Sequence, residues 1–143
     1  MRIQLGRKGD YAVRAVLDLA RHESAGRRKT RSIAAEMSIP ESYLPQILAM
    51  LVSSGMVTSA AGPDGGYALA RRASDVSLLD VIEAVEGGVA LNECVLKGGP
   101  CHWDTECAVH RFWSSAQDAF RDQLSAVSFA DIAVVERTLG PAR

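Results

Sequence analysis

The chain is poor in the residues that several protein classes require. Its 143 residues include only three cysteines, and aromatics make up 6%. No apolar run approaches the roughly 20 residues needed to span a bilayer. The opening stretch MRIQLGRKGDYAVRAV lacks the apolar core and cleavage site of a secretory leader. A cytoplasmic location is therefore expected, and structural disulfides are rare there. An odd cysteine count in that setting points to metal binding or redox chemistry. Catalytic signatures are missing as well: there is no phosphate loop, no nucleophile-elbow pattern and no HExxH. The chain reads as a non-enzyme, with no membrane partner and no small-molecule substrate.

What is present is an ordinary globular composition, 48% apolar and 23% charged, enough for one domain with a core. The net charge of −1 hides an asymmetry. Residues 1–73 carry 11 Lys/Arg against 6 Asp/Glu, and residues 74–143 carry 5 against 11. A basic first half suits a phosphate backbone.

Apolar residues at three- and four-residue spacing predict a first helix over 8–22 (Ala12, Val13, Val16, Leu19, Ala20). A polar loop follows at 23–30. A short helix then runs from an N-cap at Thr30 to Met37, until Ser38-Ile39-Pro40 breaks it. A third helix is expected from about Pro40 to Ser54, with Leu44, Ile47, Leu48 and Leu51 inward and Pro45 near its first turn. Gly55 suits its left-handed end. A short helix, a break and a longer helix form helix-turn-helix punctuation. Met56–Ala60 and Tyr67–Arg71 flank a Gly/Pro/Asp turn and read as a hairpin wing. Ser77 with Asp80 looks like a capping box for another helix. Residues 89–103 are loop-like. A long helix is expected from about Asp104 to Val127, on the pattern Val109, Phe112, Ala116, Phe120, Leu124, before a last helix begun at Ser128.

The predicted fold class is thus mainly α with a small β-hairpin wing: a winged helix-turn-helix followed by a long dimerisation helix. Three segments follow: a DNA-binding unit over 1–88, a cysteine-bearing loop over 89–103, and the long and last helices over 104–143. For DNA, the start of the third helix would meet base edges in the major groove. Glu41, Ser42, Tyr43 and Gln46 are its polar groups. Gln46 suits adenine, and Glu41 suits the cytosine amino group. Arg7, Lys8, Arg27, Arg28, Lys29 and Arg31 are candidate phosphate contacts. The wing tip Gly62, Pro63 and Asp64 would approach the minor groove.

The three cysteines and a histidine form C-x6-C-x5-C-x2-H, at Cys94, Cys101, Cys107 and His110. Thiolate and imidazole are the donors that hold zinc or iron–sulfur iron. A helix starting at Asp104 would set Cys107 and His110 on one face. The residues alone leave four readings open: an iron–sulfur cluster, a structural zinc, a metal-free thiol switch, or buried apolar cysteines.

The stretches Lys8-Gly-Asp-Tyr-Ala-Val13, Ile39-Pro-Glu-Ser-Tyr-Leu44, Gly62-Pro-Asp-Gly-Gly-Tyr-Ala-Leu-Ala-Arg71 and Asp80-Val-Ile-Glu-Ala-Val-Glu86 resemble the IscR-type bacterial regulators, a family that includes NsrR- and RirA-type proteins. With the cysteine loop and Ser128-Phe-Ala-Asp-Ile132, the resemblance covers nearly the whole chain. It implies a homodimer with crossing long helices, binding double-stranded promoter DNA. It also implies one two-iron or four-iron cluster per subunit, sensing redox state, nitric oxide or iron–sulfur status. By resemblance, His110 matches a histidine ligand of the two-iron branch. Asp10 matches a carboxylate that reaches a four-iron cluster from the other subunit. Two departures stand out: six residues between Cys94 and Cys101 where close relatives often have five, and Pro45 in the third helix.

Overall fold

A computed structural model describes residues 1–95 and 107–140. Its helices are α1 (Arg7–Arg21), α2 (Thr30–Met37), α3 (Leu44–Ser53), α4 (Leu78–Glu86), α5 (His110–Ser125) and α6 (Phe129–Leu139). Strands β1 (Val57–Ala60) and β2 (Gly66–Leu69) pair antiparallel, in the register Val57 to Leu69 and Ala60 to Gly66. The predicted class is observed, a mainly helical chain with one hairpin wing.

Helix α1 is the hub. Ala12, Ala15, Val16 and Leu19 are buried along it, and α2, α3, α4 and α6 all pack on it. Its small residues let these helices approach closely, and Leu44, Ile47, Leu48, Leu51, Val81 and Phe129 fill the core around them. Phe129 is fully buried although it lies late in the chain. The last helix, grouped by sequence with α5, thus completes the core built by the first half. A bridge between Ser77 and Ser128 fixes it: the Leu78 amide donates to Val127, and the Phe129 amide to Val76. Each serine caps its own helix, with Asp80 and Asp131 closing the two capping boxes.

Three boundaries differ from expectation, each for a local reason. Helix α3 begins at Leu44 rather than near Pro40. An earlier start would place Pro45 where its missing N–H breaks the ladder, whereas in the first turn that absence costs nothing. Helix α5 begins at His110 rather than Asp104, with Val109 at its N-cap. Cys107 therefore precedes the helix instead of lying in its first turn, and its carbonyl accepts the His110 amide at 3.2 Å. The loop at 23–30 is also not free of order. Arg28 bridges to Tyr67 through both backbone groups, at 2.7 and 2.8 Å, and adds an edge to the wing. Gly66 makes that approach possible, since a Cβ there would strike the Arg28 carbonyl.

Beneath this edge lies the one charged residue buried with the described core, Asp18, at 0% exposure. Arg28 answers it with two bonds, Nε to Oδ2 at 3.0 Å and Nη2 to Oδ1 at 3.1 Å. The same guanidinium reaches Glu36 of α2 at 2.9 Å. Burial pushes the Glu36 carboxyl upward, but the bond and charge of Arg28, with His22 and Arg21 nearby, hold it below the usual glutamate range.

Removing the counter-charge strands a buried carboxylate. Arg28→Ala is therefore expected to cost about 3–5 kcal/mol in urea unfolding at neutral pH. Glu36 has a depressed folded value, so its share is present above the ordinary glutamate range and lost as pH falls through that value. The gap between parent and Arg28→Ala should narrow below about pH 4. A gap that is constant across this range would contradict the assignment.

Candidate nucleic-acid interface and metal centre

The helix-turn-helix comprises α2, the turn at 38–43 and α3. Ser38 adopts a left-handed backbone (φ 54°), and Arg14 of α1 braces the turn by donating to the Ser38 carbonyl at 3.1 Å. Arg14 also pairs with Asp10 at 2.7 Å and lies over the Tyr11 ring. Tyr11 in turn meets Tyr43, with ring centroids 6.1 Å apart. These contacts set the entry of α3 against α1. Glu41, Ser42, Tyr43 and Gln46 are all exposed there, opposite the buried face of Leu44, Ile47, Leu48 and Leu51. Ala49 and Ser53 continue the open face beyond Gln46.

The wing tip Gly62, Pro63 and Asp64 is exposed. Lys29 Nζ donates to the Gly62 carbonyl at 3.0 Å, and Arg27 donates to Thr58 Oγ1 at 3.2 Å. Both cations therefore lie along the wing, and Arg31 is exposed on α2. Arg7 and Lys8 are exposed at the start of α1. Arg28 takes a different place from its basic neighbours: its guanidinium is turned inward to Asp18 and Glu36. The basic run Arg27, Arg28, Lys29 and Arg31 conceals this difference in the sequence. The only signal is a lone Asp18 among apolar positions of α1. Arg14 carries no sequence signature, because its work is done through backbone carbonyls.

The cysteine-bearing segment is anchored to α5. Cys94 occupies a 3₁₀ turn, Glu93–Val95, that packs on this helix. Gln117 of α5 accepts the Leu91 amide at 3.0 Å and donates to the Val95 carbonyl at 3.2 Å. Cys94, Cys107 and His110 are each partly buried. Cys101 lies outside the described residues. Asp10 sits in the first turn of α1, ion-paired with Arg14. Two half-buried thiols and an imidazole, on segments next to one helix, are soft donors of the type that holds iron–sulfur iron or zinc; among the described residues, the group whose ligand atoms lie within 4.8 Å of one another is a different one, Asp18, His22 and Glu36.

One long helix is left without a core of its own. No residue of α5 is fully buried, and Val109 and Phe112 are 55% and 71% exposed. Ala116 and Ala119 continue that open stripe. Phe120 and Leu124, further along the helix, line an open cavity of about 480 Å³ with Ile3, Leu5 and Ile82. The repeat read in sequence is thus open towards the start of the helix and partly covered towards its end. Among the described residues, no helix is long and apolar enough to cross a membrane.

Comparison with known proteins places these features in context. Residues 5–134 match the family model described as Rrf2, iron-dependent transcriptional regulator. The HTH-type transcriptional regulator IscR of Escherichia coli (strain K12 / DH10B) is 35% identical over 130 residues, spanning 91% of this chain and 80% of that protein. Among solved structures, CymR of B. subtilis, the global cysteine regulator, superposes with a TM-score of 0.80 at 28% identity, covering 94% of this chain and 98% of that one. IscR of T. potens gives 0.78 at 28% identity, covering 99% and 93%.

The wing and α3 should differ in how they meet a duplex. Alanine at Arg27, Lys29 or Arg31 is expected to weaken binding to all sequences alike. Removal of each phosphate-binding cation should flatten the slope of log affinity against log salt by about 0.9. Gln46→Ala should leave the slope unchanged and cost about 1–3 kcal/mol only on the preferred site. Fluorescence anisotropy over a salt series separates the two effects. A Gln46→Ala loss shared by random DNA would refute its role at a base edge.

Proposed function

The chain belongs to the Rrf2 family of transcriptional regulators, and from that premise we propose that it is a homodimeric, promoter-binding sensor whose cysteine segment holds an iron–sulfur cluster. The observation that carries this reading is that the Cys94 turn packs on α5, the helix that begins at His110 just after Cys107, in a chain with an exposed helix-turn-helix and wing. Cys94, Cys101 and Cys107 would supply the thiolates. His110, or Asp10 from the other subunit, would complete the set. When bound, the cluster supplies a redox-labile and nitric-oxide-labile centre, made more labile by a non-cysteine ligand.

The protein's own residues do the rest. Thiolates must be deprotonated to bind, so occupancy depends on pH. The exposed stripe of Val109, Phe112, Ala116 and Ala119 offers an apolar seam to a second copy. Two-fold pairing across that seam would set two readers about 34 Å apart, one turn of duplex. Glu41, Ser42, Tyr43 and Gln46 would then read base edges. Arg7, Lys8, Arg27, Lys29 and Arg31 would hold phosphates, with Gly62, Pro63 and Asp64 at the minor groove. Arg28, although in the same basic group, would act chiefly by securing the wing.

A second reading is favoured by one finding: S. aureus CymR in its oxidized form also superposes, with a TM-score of 0.71 at 27% identity. On that reading the cysteines would act as a cofactor-free thiol switch. A zinc-held site is the third form of the same donor set.

Protein purified without air should be coloured and contain iron and acid-labile sulfide, and its operator affinity should change when the cluster is removed. Cys94→Ser, Cys101→Ser and Cys107→Ser together should abolish both. Colourless protein that retains zinc would favour the structural metal. Colourless, metal-free protein whose binding responds to diamide would favour the thiol switch.

A further inference from the structure

Gln117 and Arg121 stand four residues apart on α5 and so share one face. Between them they hold the chain that leads to Cys94. Gln117 takes the Leu91 amide and gives its own amide to the Val95 carbonyl, at 3.0 and 3.2 Å. Arg121 forks onto Glu83 of α4, with Nη1 bonded to Oε2 and Nη2 to Oε1, the latter at 3.0 Å. Glu83 Oε2 also accepts the Val89 amide at 3.1 Å. Three backbone groups of the segment from Val89 to Val95 are thus tied to two helices by two side chains, Gln117 and Glu83, and Arg121 holds Glu83 in place.

These ties differ in kind from surface ion pairs. Glu83 and Arg121 are partly buried, with side chains 27% and 34% exposed, and their contact is bidentate. The Arg121 bond holds the Glu83 carboxyl below its usual range, aided by the Val89 amide and against the cost of burial. Glu83 is therefore charged at neutral pH. Val95 adjoins Cys94, so the carbonyl that Gln117 holds lies one residue from the thiol-bearing position. Helix α4 packs on both α1 and α3. A path of direct contacts therefore runs from Cys94 to the DNA-reading helix without leaving one subunit.

We propose that Gln117, Arg121 and Glu83 are positioning residues that clamp the Cys94 segment between α5 and α4 and pass its state to α3. This rests on the reading of Cys94 as a sensing thiolate, and the clamp itself has a readout that does not depend on that reading. Gln117→Leu frees two backbone groups of the segment, and Arg121→Met leaves Glu83 holding Val89 alone. Neither position is in the core, so both variants should unfold within a few degrees of the parent.

The test compares parent, Gln117→Leu, Arg121→Met and Arg121→Lys in two measurements. The first is hydrogen–deuterium exchange in the cluster-free protein. Exchange at Leu91 should quicken at least tenfold in Gln117→Leu, and exchange at Val89 should quicken in Arg121→Met. The second is the ratio of operator affinities between cluster-loaded and cluster-free protein. It should shrink at least fivefold in both variants, with iron and sulfide content within a quarter of the parent's. Arg121→Lys, which keeps a cation for Glu83, should restore the ratio to within twofold of the parent.

Unchanged exchange at Leu91, or a ratio within twofold of the parent in both apolar variants, would overturn the clamp. A parent that takes up no iron counts against the cluster reading alone. The ratio between reduced and diamide-oxidised protein then judges the clamp by the same limits. A parent whose operator affinity responds to neither treatment overturns the coupling.

Discussion

A carboxylate with no solvent access must be answered by a cation, and in this fold one such requirement organises the side that carries the helix-turn-helix and the wing. Asp18 lies on the inner face of α1, and Arg28 meets it with a two-bonded fork. To reach inward, the chain at Arg28 lies flat against the hairpin, where its backbone pairs with Tyr67. That pairing leaves its neighbours, Arg27 and Lys29, aligned along the wing. The same guanidinium holds Glu36 and so ties α2 to α1. The position of the wing relative to the helix-turn-helix thus depends on an ion pair whose charges are turned inward. A buried pair of this kind adds little net stability compared with an apolar substitute, but it tolerates only one arrangement.

The far side of the molecule is organised differently. Around α5, order comes from polar side chains bound to backbone groups rather than from a dry core. Gln117, Arg121 and Glu83 hold a segment that a few apolar contacts alone would leave loose. The two regimes meet at α4, which is buried on one face through Val81, Ile82 and Val85 and carries Glu83 towards α5. Such an arrangement suits a regulator. A rigid reader is joined to a region held by bonds of about 1 kcal/mol each, small enough to be exchanged when the site changes.

Much of this was legible in the sequence, and for identifiable reasons. Helix periodicity marked α1, α2 and α4. Gly55 marked the end of α3 with φ 80°, and Ser77 with Asp80 marked the start of α4, where both bonds of a capping box are present. The cysteine and histidine spacing marked the candidate centre because cysteine is otherwise absent. What was not legible depended on contacts distant in sequence. Arg28 is indistinguishable from its basic neighbours until Asp18 is seen beneath it. The helical repeat in α5 is real, but periodicity cannot say that Phe120 and Leu124 are partly covered while Phe112 is open. The late start of α5 was hidden because Asp104 has the residue type of a helix cap, and residue type alone does not show where a helix begins.

The bridge between Ser77 and Ser128 has a consequence for how the protein comes into being. Phe129 and Ala133 are buried in the core with α1 and α3, yet they follow both helices in the chain. A core that includes them cannot close until the chain as far as Ala133 is available to it. The thiol-bearing stretch emerges earlier, between the two serines that later meet.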